Sequence, residues 1–261
     1  MRTKSLLAAA LGAALVAASA VPVAAQDCAF RAWTEHRGTP LLRTPDAAAY
    51  MFRAGALDIV ANGAPAAYSP DGRGLDDPAK AGWSGPDSSG WQGRLVADPR
   101  DPVRPLRQDR GKTEGFFVST TRLQDPRRRE TDPRKYADAA RIPYITFPRA
   151  HYQRRGTGLF GDLGVAIAAN GKMTGFVVAD QAAGDAALGG VSIALAEALS
   201  GKSADARRDR GGPEGPVTFV VFPYSARDRI SLWPMAPEEI TELAFKSLEL
   251  LGGKEAVIAC N

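Results

Sequence analysis

Two cysteines, Cys28 and Cys260, stand near opposite ends of this chain. In an oxidising compartment such a pair is expected to close. A bridge between them forces the two ends of the chain to meet, which argues for one domain over a string of small ones. In the chain-entropy account a loop this long adds about 4–5 kcal/mol of stability. Two free thiols are the alternative. There is no CxxC pair, and the only histidines are His36 and His151, so neither a structural zinc site nor any other metal or cofactor is expected.

The opening residues support the oxidising reading. Arg2 and Lys4 precede an alanine-rich apolar run that ends in Val23-Ala24-Ala25. This is the pattern of a secretory signal peptide over residues 1–25, with cleavage after Ala20 or retention as an anchor as alternatives. Residues 26–261 are then a secreted or periplasmic protein with no stable membrane insertion. Hydrophobic residues make up 44% of the chain, enough for a sizeable core, and the formal side-chain charge is +4, including Arg2 and Lys4. The positive charge clusters in "DPRRRETDPRK" and "ARRDRGG". These runs read as solvated loops or as contacts to an anionic polymer or envelope surface. They lack interleaved aromatics, so nucleic acid is not the expected partner.

Along the chain, "DAAAYMFRAGAL" suggests a short helix. Residues 62–114 are rich in Gly, Pro and Asp and read as ordered irregular structure, because Tyr68, Trp83 and Trp91 give it something to bury. "GFFVSTTRL" and "RIPYITFP" read as strands. "DLGVAIAANGKMTGFVVAD" reads as a hairpin turning at Asn170-Gly171 and ending at Asp180. "VSIALAEALSG" then predicts a helix capped by Ser192 and stopped by Gly201. "PVTFVVFP" predicts a buried strand, and "APEEITELAFKSLELLGG" an amphipathic helix that opens at Pro237 and stops at Gly252. The pattern is mostly β with peripheral helices, an α+β class, and not a βαβ alternation.

Taken in order, "NGAPAAYSPDGRGLDD", "GFFVSTTRLQD", "TDPRKYADAARIPYITFP", "GDLGVAIAANGK", "FVVAD", "GGVSIALAEALSG" and "VTFVVFP" resemble the family-75 glycoside hydrolases, the fungal-type chitosanases, over residues 58–251. The resemblance implies a secreted hydrolase that cuts a β-1,4-linked amino-sugar polysaccharide by inversion. It also implies a double-psi β-barrel core, in which a strand-end aspartate precedes a tight turn and a helix. Asp180 has that placement and would be the general acid.

An inverting glycosidase needs two carboxyl groups about 6.5–9.5 Å apart, one to protonate the leaving oxygen and one to activate water. The family carries its second, a glutamate, where this chain has Gly190. It carries an aspartate where this chain has Asn62, and a Gly-Pro turn where this chain has Ala182-Ala183. Three outcomes stay open. Asp185, in the same loop, can replace the glutamate or be a solvated loop residue. Asp180 can work alone on peptidoglycan, as in single-aspartate lytic transglycosylases of this fold. Or the cleft binds glycan without cutting it. Asp162 is a weaker catalytic candidate beside its ordinary reading as a turn residue. Asn62, Tyr68, Trp91 and Tyr144 are the candidate substrate contacts, with loop-borne Trp91 leading, beside the ordinary reading of the aromatics as core or loop packing. His151 reads as a lone surface histidine, and Glu197 as a solvent-exposed helix residue.

Overall fold

In the computed structural model, residues 28–227, 229 and 233–260 are described. The expected signal peptide lies outside them. Eleven strands and four helices follow in chain order: β1 (Arg31–His36), β2 (Thr39–Arg43), β3 (Tyr50–Ala54), β4 (Asp58–Val60), β5 (Ala97–Asp98), β6 (Asp101–Pro105), β7 (Tyr144–Pro148), α1 (Arg149–Tyr152), β8 (Leu163–Ala168), β9 (Met173–Ala182), β10 (Gly190–Ser192), α2 (Ile193–Ser200), β11 (Val217–Phe222), α3 (Pro237–Glu249) and α4 (Gly253–Ile258). Nine strands form one mixed sheet in the order β1-β2-β3-β11-β8-β9-β7-β10-β4, and β5 and β6 pair separately. From β1 to β9 every neighbour is antiparallel. Beyond β9 the pattern changes: β7 runs parallel to β9, β10 antiparallel to β7, and β4 parallel to β10.

The expected hairpin is β8–β9. Its turn works because Gly171 takes φ 84°, a left-handed conformation open to glycine. Both strands are apolar because both faces are covered. Helix α3 lays Ile240, Ala244 and Leu248 against β8 and β9, and Phe176 meets Phe219 edge-on at 5.9 Å. The expected cap of α2 is present: the Leu195 amide donates to Ser192 Oγ at 3.1 Å, and Gly201 closes the helix at φ 75°.

Two expectations fail for the same physical reason, that tertiary pairing outweighs local propensity. "DAAAYMFRAGAL" forms strand β3, not a helix, because Tyr50–Ala54 pairs with β11 and Leu41–Arg43 pairs back onto it. "GFFVSTTRL" is not a strand. Its amides donate to four separate segments: Phe117 to the Tyr68 carbonyl, Val118 to Leu106, Thr120 to Arg94 and Leu123 to Ala179. It stitches loops together and has no single partner strand.

Cys28 and Cys260 are bonded, with Cα atoms 4.8 Å apart across a sequence separation of 232. A structural disulfide belongs to an oxidising, extracellular-type compartment. No helix among the described residues is long and apolar enough to cross a membrane.

Candidate active site

Asp180 lies near the end of β9, only 7% exposed. A bulge opposite Ile145 and Thr146 aims it. Ile145 pairs with Val178 and Thr146 with Asp180, so Ala179 is left out of the ladder, and its carbonyl accepts from the Leu123 amide instead. Bulges re-aim side chains in this way. The Asp180 carboxylate accepts from Asn62 Nδ2 at 2.7 Å and from the Arg122 amide at 3.2 Å. Asn62 is itself held in place. The Tyr68 hydroxyl donates to its Oδ1 at 2.6 Å, and the Tyr144 hydroxyl donates to its main-chain carbonyl at 2.8 Å. Burial raises the Asp180 pKa above the ordinary carboxylate range, while the bonds from Asn62, Gln181 and Arg122 and the charge of Arg94 pull it back.

The sheet register builds the rest of the site. Asp180 is opposite Thr146, Thr146 opposite Gly190, and Gly190 opposite Asp58. Directly paired residues share a face of a sheet, so these four form one row across β9, β7, β10 and β4. Gly190 is tightly fitted: a Cβ there would run into the Thr146 hydroxyl. At the far end of the row, Asp58 is exposed. Its carboxyl is also raised, first by the protein crowded around it and then by the negative charge of Asp209, with Lys80 and Arg94 opposing. Arg94 is thus within electrostatic reach of both Asp58 and Asp180, and both carboxylates act on the Tyr68 phenol.

The other candidates fall elsewhere. Asp185 is bound away from Asp180: its loop folds onto the β1–β2 hairpin, where Arg37 Nη1 donates to the Asp185 carbonyl at 2.8 Å. Its carboxylate faces His36 at 3.6 Å and Arg37 at 3.7 Å. Asp162 is fully buried and accepts three backbone amides, from Leu159 at 2.6 Å, Tyr224 at 2.8 Å and Ala226 at 2.9 Å. It clamps the loop after β11, which is the work of a turn residue. Trp91 is 1% exposed with its indole nitrogen donating to the Ser88 carbonyl at 2.9 Å; it has no free face on which a sugar could stack. Tyr68 and Tyr144 are likewise buried and reach the site only through their hydroxyls. His151 is not a surface residue. It is fully buried against Phe147, Tyr50 and His36, with its pKa lowered to about 3. Glu197 is half-buried, and its carboxylate accepts from the Ala204 amide at 3.0 Å.

No protein-family model matches this chain. No curated protein matches it either. The resemblance to the family-75 hydrolases therefore rests on residues and spacing alone, and the site must be judged by its own chemistry. Among the described residues no group of three His, Cys, Asp or Glu side chains is arranged to hold a metal ion.

Sequence reasoning missed Asp58 and Arg94. Asp58 begins the short strand β4, four residues before Asn62, and only the pairing of β4 with β10 brings it beside Gly190. A second omission is the hollow of about 370 Å³ lined by Arg122, Arg149, Tyr152, Gln153, Phe160 and Gln181. Tyr152 and Phe160 stack there at 4.2 Å. Side chains alternate along a strand, so Gln181 puts this hollow on the flank of β9 away from the Asp58 row.

Proposed function

We propose that this chain is an exported glycoside-cleaving enzyme, secreted or periplasmic, that acts on a β-1,4-linked amino-sugar polysaccharide with Asp180 as general acid. The reading keeps the chitosanase-like, double-psi organisation suggested by the sequence. The two parallel pairs flanking the antiparallel β7–β10 pair, and the path from Asp180 through a loop into α2, are compatible with that core. The observation that carries the proposal is the state of Asp180: a buried carboxyl with a raised pKa, oriented by Asn62 and a backbone amide, on a row that also carries Asp58. A raised pKa is what an acid needs in order to hold its proton until the leaving oxygen takes it.

Asp58 is the carboxylate best situated to activate water. Its side chain is exposed and makes no hydrogen bond or ion pair among the described residues, while its amide donates to the Gly189 carbonyl. It sits three strands from Asp180, about 14 Å at the backbone, with both side chains on the same face. That backbone spacing is wider than the separation of about 6.5–9.5 Å between the carboxyl groups of an inverting pair, so the two side chains would have to lean toward each other across Gly190 for water to bridge them. Between them the row is closed by the Thr146 hydroxyl, which fills the place of a side chain on Gly190.

Arg94 favours one substrate over another. A cleft for polycationic chitosan should be acidic, yet here the Arg94 guanidinium, bonded to the Lys80 carbonyl, is within electrostatic reach of both carboxylates. Acetylated, carboxylate-bearing peptidoglycan is the better electrostatic match.

The test is product release from chitosan and from purified peptidoglycan by the wild type and by the Asp180→Asn and Asp58→Asn variants. New reducing ends that disappear in both variants support hydrolysis by the pair. Anhydro-ended products that survive Asp58→Asn but not Asp180→Asn support the single-aspartate route. No product from either polymer, with the polymers still bound, means a glycan-binding protein and overturns the enzyme.

A further inference from the structure

Away from Asp180 lies a cleft of about 1060 Å³ lined by seven arginines and three aspartates, with Arg127, Arg128, Arg129 and Arg134 of the run "DPRRRETDPR" among them. Its cations are held in place from below. Asp125, 2% exposed, accepts from Arg127 Nε at 2.9 Å and pairs with Arg128 Nε at 3.4 Å. Asp132 accepts from Arg128 Nη1 at 3.1 Å and from Arg134 Nη2 at 2.8 Å. These bonds use part of each guanidinium and leave the remaining N–H groups fixed in direction. Arg107 and Arg129, also in the wall, have no carboxylate partner among the described residues. A concave surface with pre-positioned, partly unpaired guanidiniums is built for planar anions, which arginine binds in a fork.

The cleft does not end there. Across Arg100 and Arg107 it meets a second hollow of about 310 Å³, walled by Trp83 and Phe117. Trp83 is half-buried and rests on Phe117 at 5.1 Å. It is the tryptophan of the Gly/Pro-rich segment that keeps part of its surface open, whereas Trp91 is buried.

We propose that this continuous groove is a binding site for an anionic polysaccharide, with carboxylate or phosphate groups on the Arg107 and Arg129 side and a sugar ring against Trp83. The site lies outside the Asp180 row and does not depend on the catalytic reading. A single aromatic beside a field of arginines suits a charged glycan. Single-stranded nucleic acid calls for a series of stacking platforms, one per base or two. The oxidising compartment marked by the Cys28–Cys260 bond points the same way.

The experiment measures binding of polygalacturonate and of a single-stranded DNA of matched charge to the whole protein. It uses the wild type, the Arg107→Gln/Arg129→Gln double variant and Trp83→Ala, each checked for an unchanged melting temperature. The expected result is polygalacturonate binding that weakens with salt, falls about tenfold or more in the double variant, and falls again for Trp83→Ala. Absence of binding, binding that ignores the arginine substitutions, or indifference to Trp83 overturns the site. Tighter binding of DNA overturns the polysaccharide as its ligand. If an arginine variant melts early, Arg129→Lys, which keeps charge but loses the fork, replaces it. A loss of affinity there without a loss of stability supports the site, and unchanged affinity counts against it.

Discussion

Asn62 donates to the Asp180 carboxylate at 2.7 Å, so the residue next to the candidate acid is a neutral donor and not a second carboxyl. The bond stabilises the ionised form and partly offsets the effect of burial. Replacing it with a carboxyl reverses the sign. In Asn62→Asp two carboxyl groups share one proton, and Asp180 keeps that proton to higher pH. The expected outcome is an alkaline limb of the activity profile that moves upward. Carbon-detected titration of the Asp180 carboxyl should move with it, and that readout needs no turnover. A downward shift in either measurement contradicts the assignment.

Gly190 and Thr146 form a second testable pair. The methyl group of Gly190→Ala must displace the Thr146 hydroxyl, an overpacking cost of about 1–3 kcal/mol. Removing the obstacle should remove the cost. In a Thr146→Ala background the same substitution should destabilise by less than half as much, a non-additivity that chemical denaturation can read. Equal costs in both backgrounds would mean that the close approach is not what keeps position 190 a glycine.

Asp162 should behave as a structural residue. Asp162→Asn keeps the shape but turns one acceptor oxygen into a donor that faces an amide. At least one of the three amides on Asp162 is then unpaired, and hydrogen bonds to a charged group are lost. The expected destabilisation is about 3 kcal/mol, with any remaining activity unchanged per folded molecule. A fall in specific activity with normal stability would return Asp162 to the catalytic candidates.

Two buried groups predict opposite pH effects on stability. Asp76 is fully buried beside Lys80, and burial raises its pKa from 3.8 to about 6. The native state therefore takes up a proton before the unfolded state does. Its contribution to stability is present below about pH 3.8 and is lost as pH rises through about 6. Against Asp76→Asn, the wild type should gain up to about 2–3 kcal/mol on acidification through that window. His151 runs the other way. Burial first, then His36 and Arg154, lower its pKa from 6.5 to about 3. The unfolded state protonates first, so stability is intact above about pH 6.5 and is lost as pH falls towards 3. In His151→Phe that part of the acid slope should vanish. Urea midpoints at intervals between pH 3 and 8 would separate the two, and slopes of the opposite sign would refute them.

Local signals in the sequence were reliable where one short segment carried both the structure and its reason. Asn170-Gly171, Ser192 with Gly201, and the apolar run Val217–Phe222 all appear as expected. The cysteine pair was legible because only one pairing exists. The site was legible only in part. Asp180 sits at its strand end, but its neighbours come from register, and register is set by long-range pairing. Nothing local to "LDIVANGAP" says that Asp58 faces Gly190. The same limit hid the burial of His151, and it left Trp91, already read as something for its segment to bury, also standing as a sugar contact. A histidine among arginines looks exposed in the sequence and an aromatic among glycines looks free to stack, but the sheet's far strands and the loops over them close around both.

The bond between Cys28 and Cys260 also changes the topology of the molecule. With those two residues joined, everything between them is a closed ring. A single protease cut in any of the long loops, between residues 62 and 114 for example, opens the ring but frees no fragment. Two cuts are needed before any segment can leave. A nicked molecule would therefore keep its full mass under non-reducing conditions and fall into two pieces only when the disulfide is reduced.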